Sequence, residues 1–214
     1  MKKKHIVVLA ATYAPFARTA DLERGLVPIE APKNYVDPVK KEHYIREENA
    51  RRDGVLATLW PLKTFESLRV CYYDGSPGEP QVVLFESIGP DTDIAGALAP
   101  IASALEAAVE ADETIQFVGV GVRDILRILR TRYADAGLVP YPWISEQRNV
   151  IDPVGMLDTE KINKHLNPLY VLRQSGIAMP DDYRPGQSSI DDCNVAIRSY
   201  NALCRTRSQP ELAL

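Results

Sequence analysis

HIVVLAATY, residues 5–13, is the stretch whose reading decides the architecture. It is an apolar, partly β-branched run without polar alternation, the pattern of a strand buried on both faces, and such strands lie inside α/β sheets flanked by helices. Pro15 ends it. Working outward, FESLRVCYYDG (65–75) and QVVLFES (81–87) flank the turn sequence SPGEP and read as a hairpin. TIQFVGVG (114–121) reads as a second buried strand that ends in two glycines, and NVID (149–152) as a short one. Helical patterns fill the intervals. Ile94, Leu98, Ile101, Leu105 and Val109 make one apolar stripe, and Val122, Ile125, Leu126, Leu129 and Tyr133 make another that stops at Gly137. NPLYVLRQSG (167–176) is helical, and SSIDDCNVAIRSYNALCRTR (188–207) is a helix with Ser188 and Asp191 as a capping box and Cys193, Ile197, Tyr200 and Cys204 facing inward. The fold class is α/β, a mixed central sheet with helices packed on it.

Composition narrows the function classes. Of the 214 residues, 45% are hydrophobic and 25% charged, so the chain is an ordinary globular protein. Lys plus Arg is 25 against 29 for Asp plus Glu, a net charge of −4, so nucleic acid finds no global positive field and any contact with it is local. No window approaches the roughly 20 apolar residues of a membrane span, and a cytoplasmic chain with no membrane partner is the expectation. Cys71, Cys193 and Cys204 have an odd count and no CxxC spacing, and read as core thiols. LAATYAPF (9–16) contains no glycine after the first strand, which argues against a Rossmann or P-loop phosphate site.

Residues 14–62 interrupt the α/β pattern and read as an insertion into one domain spanning 1–214. The insertion carries a charged helix over 38–52, with Asp37 as N-cap, Pro38 at the first helical position and a stop at Asp53-Gly54. Glu42, Glu47 and Glu48 each stand four residues before an arginine, so the helix is expected to be solvated or to serve as an arm for a partner. His43 and Glu47 share a face and read as a surface ion pair rather than a metal site, since no third ligand is near in sequence. His5 and His165 read as surface residues.

Three segments together resemble the DEDD-type 3′–5′ exonucleases, a family with a ribonuclease H-like fold. RPGQSSIDDCNVAIRSYNAL (184–203) is similar to the family's last motif, FVGVGVRDILRIL (117–129) to its second, and HIVVLAATYAP (5–15) fits its first strand. The resemblance implies a site in which four carboxylates hold two Mg²⁺ or Mn²⁺ ions about 4 Å apart, with a histidine as general base. Carried onto this chain, the second-motif aspartate falls on Asp124 and the last-motif aspartate on Asp192. The first-motif acids fall on Ala10 and Thr12, and the histidine on Gln187, so three of the five functional positions are substituted. Gln187 hydrogen-bonds but cannot take a proton near neutral pH.

The expectation is therefore a degenerate, catalytically inactive exonuclease-like protein that binds nucleic acid or scaffolds, with no cofactor. The alternatives are an active enzyme using Mg²⁺ or Mn²⁺ with relocated ligands, for which Asp21 and Glu23 on a loop are candidates, and an oligomeric or protein-contact module. Asp124 and Asp192 are read either as a residual metal or anion site or as structural residues stabilised by helix dipoles. Arg123, Arg127 and Arg130 are the candidate contacts to single-stranded nucleic acid, joined in a wider patch by Arg132, Lys161, Lys164, Arg198, Arg205 and Arg207, or else solvated helix positions. Trp60, Tyr72, Tyr73 and the YPW at 141–143 could stack bases, with Tyr72 and Tyr73 on opposite faces of their strand.

Overall fold

The computed structural model describes residues 2–59, 62–76, 79–89, 91–140, 144, 149–152, 168–174, 176–206 and 211–213. It divides into two compact units, Met1–Tyr13 with Phe65–Leu214, and Ala14–Thr64. In the larger unit β1 (Lys4–Tyr13) is the middle of a five-stranded sheet with β2 (Phe65–Tyr73), β3 (Gln81–Phe85), β4 (Thr114–Val118) and β5 (Val150–Ile151). The spatial order is β3-β2-β1-β4-β5. β2 runs antiparallel to both neighbours, while β1, β4 and β5 are parallel.

The unbroken apolar run of β1 has a simple cause, because both of its faces are covered. Val7, Leu9 and Ala11 pack into a core with β2 and with the helices numbered here α3 (Ile94–Glu110) and α4 (Val122–Asp135). Ile6, Val8 and Ala10 point the other way, into a core closed by Cys193, Ala196, Ile197, Tyr200 and Cys204 of the last helix, α6 (Ser189–Thr206). Val7 and Val8 are both fully buried, each burial being worth about 1.5–3 kcal/mol. A smaller cluster joins Leu172 of α5 (Pro168–Gln174) to Ile177, Tyr183 and Val195.

The expected strands and helices of this unit form, with local corrections. Val109 is 52% exposed, because the inward stripe of α3 continues through Ala108 instead. His5 is buried, not on the surface: Nδ1 lies 2.8 Å from the Tyr72 hydroxyl and Nε2 2.6 Å from Glu113. Tyr72 and Tyr73 do face opposite ways, but both are core residues, so neither offers a platform for bases. The three cysteines are free and buried. Trp60, residues 141–143, His165, Lys161, Lys164 and Arg207 lie outside the described residues.

The unit Ala14–Thr64 contains α1 (Ala20–Gly25) and α2 (Pro38–Thr58). Asp37 caps α2 by accepting the Val39 N–H at 2.9 Å, and Pro38 opens the helix as expected. The helix does not stop at Asp53-Gly54 but continues to Thr58; a glycine inside a helix costs only about 1 kcal/mol, and Arg18 holds Asp53 at 3.1 Å. No residue of α2 is buried. Arg51 pairs with Glu48 at 2.9 Å rather than with Glu47, and Arg52 donates instead to the Val27 carbonyl and Asn49. His43 and Glu47 form an exposed ion pair at 3.4 Å. Among the described residues no helix is long and apolar enough to cross a membrane.

Candidate functional site at the carboxyl end of the first strand

β1 and β4 are parallel neighbours, so their carboxyl ends open on the same edge of the sheet, where ligand sites of open α/β sheets lie. The turn out of β4 depends on Gly119. Its φ is +150°, and a Cβ there would stand 2.1 Å from the Leu9 carbonyl oxygen, so only glycine lets this backbone lie against β1. Gly121, at φ +66°, is the N-cap of α4. Asp124 therefore falls in the first turn of α4, where the helix dipole favours a carboxylate. Its side chain is 45% exposed, and Arg127 reaches its Oδ1 at 3.4 Å.

Asp192 has the opposite environment. It sits in the first turn of α6, with the Asp191 N–H donating to the Ser188 hydroxyl as the capping box requires. The residue is only 5% exposed. The Tyr183 hydroxyl donates to its Oδ1 at 2.7 Å and the Gly186 N–H to its Oδ2 at 2.9 Å. Burial pushes the carboxyl above its ordinary value of 3.8 and Asp191 adds to this, while the two hydrogen bonds pull the other way. Both oxygens hold the 183–186 turn against the helix.

α4 and α6 pack on opposite faces of the sheet, and each carries one of the two aspartates in its first turn. Tyr13, the last residue of β1, senses both: its hydroxyl is pushed up to about 12, first by burial and then by the negative charges of Asp124 and Asp192.

The positions expected to carry the first-motif acids hold no charge. Ala10 is 3% exposed and belongs to the core shared with α6. Thr12 is buried, its Oγ1 2.8 Å from the Ser67 hydroxyl, which in turn donates to the Ser189 hydroxyl at 2.9 Å. This chain of neutral hydroxyls ties β1, β2 and α6 together. Directly across the β1–β2 ladder from Ala10 stands Arg69, which adds a cation on the same face. Gln187 is exposed, its N–H donating to the Arg184 carbonyl. The residues fit a two-metal centre poorly. Both Asp192 oxygens already accept hydrogen bonds, and among the described residues no three His, Cys, Asp or Glu side chains group to hold a metal.

The candidate arginines differ in their partners. Arg123 is exposed, Arg127 pairs with Asp124, and Arg130 donates to the Ile144 carbonyl at 3.2 Å. Arg198 donates to the Ala178 carbonyl and Arg205 pairs with Glu211. Arg132 lines a cavity of about 230 Å³ at the other end of α4, together with Asp91, Asp93 and Asp135. Glu23 lies on the short helix α1, not a loop, and pairs with Arg18 at 3.0 Å.

Sequence reasoning missed Tyr13, Ser67, Arg69, Tyr183 and Ser189 as parts of this region. Of these only Tyr13 carried a local signal, its place at the end of the first buried strand. No protein-family model and no curated protein matches the chain.

Proposed function

We propose that the chain is a degenerate exonuclease-like protein, a DEDD-type domain of ribonuclease H-like fold that does not hydrolyse phosphodiesters and serves as a nucleic-acid-binding or scaffolding module. Support for the fold comes from the five-stranded mixed sheet with β2 alone reversed and from helices on both faces, in keeping with the mixed central sheet and flanking helices this resemblance implies. The observation that carries the loss of hydrolysis is at the end of β1. Buried Ala10 and hydrogen-bonded Thr12 stand where two metal-binding carboxylates are needed, with the Arg69 cation across the ladder from Ala10. Divalent ions need oxygen ligands and a negative field, and this edge supplies two aspartates, one of them engaged on both oxygens. The arginines favour the scaffolding role over nucleic acid, since Arg127, Arg130, Arg198 and Arg205 are spent on carboxylates and carbonyls of the protein itself.

The test is a titration of a labelled single-stranded oligonucleotide with the full chain, with and without Mn²⁺, following both binding and shortening. The expected result is no shortening, together with a melting temperature that millimolar Mg²⁺ or Mn²⁺ leaves unchanged, because a ligand bound to the folded state raises it by mass action. Mn²⁺-dependent shortening that disappears in D192N refutes the proposal and restores an active enzyme with relocated ligands. Asp21→Asn and Glu23→Gln then test where those ligands are.

A further inference from the structure

Cys71 of β2 and Cys193 of α6 stand with their sulfurs 3.5 Å apart, although 122 residues separate them in sequence. Both are buried, 1% and 0% exposed, in the core between the sheet and α6. Neither is bonded to another group covalently. A disulfide requires about 2.05 Å between sulfurs, so bonding closes a gap of about 1.5 Å. The contact with Cys193 and then the Arg69 guanidinium draw the Cys71 thiol below its ordinary value, against the opposing effect of burial.

From this juxtaposition we infer that Cys71 and Cys193 form a reversible disulfide, a modification site that staples β2 to α6 and that hydrogen peroxide writes. The Cys71 thiolate attacks one peroxide oxygen, the O–O bond breaks, and hydroxide leaves and takes up the proton lost from Cys71. Cys71 is then a sulfenic acid. The Cys193 sulfur attacks the Cys71 sulfur, the S–O bond breaks, and the departing hydroxyl takes the Cys193 proton to leave as water. Two thiols have lost two electrons, one peroxide has gained them, and two waters are formed. The staple lies next to the candidate site, since Cys193 follows Asp192 and Cys71 is two residues from Arg69. Oxidation therefore locks the start of α6 on the sheet.

The inference is independent of the nuclease reading and is tested on the full chain. The protein is treated with millimolar hydrogen peroxide, quenched, alkylated and digested without reduction. The expected product is a peptide pair joining Cys71 to Cys193 with the loss of two hydrogens, Cys204 being alkylated as the internal control. The melting temperature is expected to rise by several degrees and to return with dithiothreitol, because the cross-link closes a loop of more than a hundred residues in the unfolded chain. Cys204→Ser, which leaves the pair intact, is expected to give the same product and shift. Three alkylated thiols after treatment, a cross-link through Cys204, or over-oxidation of one cysteine without the pair overturns the inference.

Discussion

Replacing Asp192 separates a structural carboxylate from a catalytic one. In the native protein its two oxygens accept from Tyr183 at 2.7 Å and from the Gly186 N–H at 2.9 Å, and the residue is 5% exposed. Hydrogen bonds to a charged group contribute about 1.5–3 kcal/mol each, and burying the charge offsets part of that sum, so Asp192→Ala is expected to cost about 3 kcal/mol. For a protein of this size the loss lowers the melting temperature by about 6–12 °C. Asp192→Asn keeps both contacts, its amide oxygen accepting from Gly186 and its amide nitrogen donating to the Tyr183 oxygen, and is expected to cost about 1 kcal/mol or less.

The pH dependence follows from the raised carboxyl of Asp192. The folded protein holds this proton more tightly than the unfolded chain, so the group's contribution is fully present below the unfolded value near 3.8 and is lost as pH rises through the higher folded value. Asp192→Asn has no such group, so its stability relative to the native protein should improve as pH rises through that window. Urea denaturation of the three proteins from acid to neutral pH measures this. Alanine as stable as aspartate, or asparagine as damaging as alanine, refutes the account of two replaceable hydrogen bonds.

Three further outcomes are expected. The ultraviolet titration of Tyr13, with a midpoint near 12, should move down toward 10 in Asp124→Asn, which removes one of the two nearby negative charges; an unmoved midpoint means that the aspartates do not converge on this hydroxyl. The same shift makes Tyr13 lower stability as pH rises from 10 to about 12. Gly119→Ala places a methyl 2.1 Å from the Leu9 carbonyl at a positive φ and should cost about 3 kcal/mol or more in denaturant titration, against under about 0.5 for Gly25→Ala, where a Cβ meets nothing within 4 Å. Thr12→Val, which removes one hydroxyl at nearly constant volume, should cost about 1 kcal/mol; no measurable loss means the Thr12–Ser67–Ser189 chain does not contribute to stability.

Much of the architecture was legible because its causes are local. An apolar run without alternation forecast β1 between two layers, the spacing of Cys193, Ile197, Tyr200 and Cys204 forecast the inner face of α6, and Asp37-Pro38 forecast the start of α2. Errors arose where a neighbour from another part of the chain intervened. His5 looked polar and isolated until Tyr72 and Glu113 gave both ring nitrogens partners, and Gly54 looked like a stop although α2 continues through it to Thr58. The candidate site was only half legible. Asp124 and Asp192 each stand in the first turn of a helix that the sequence pattern located, but Ser67, Arg69, Tyr183 and Ser189 came from other elements with no pattern linking them to β1.

Sequence alone determined which segments became strands and helices, which faces they bury, and that Ala10, Thr12 and Gln187 cannot do the chemistry of carboxylates and a histidine. These follow from side-chain type and from periods of two and 3.6 residues. Only the tertiary structure decided that Asp192 is engaged on both oxygens while Asp124 stays half exposed, that neutral hydroxyls link β1, β2 and α6, and that Cys71 meets Cys193 between the sheet and α6. Each depends on a register or a packing contact between residues far apart in the chain, and distance in space is set by the closed core rather than by any local pattern.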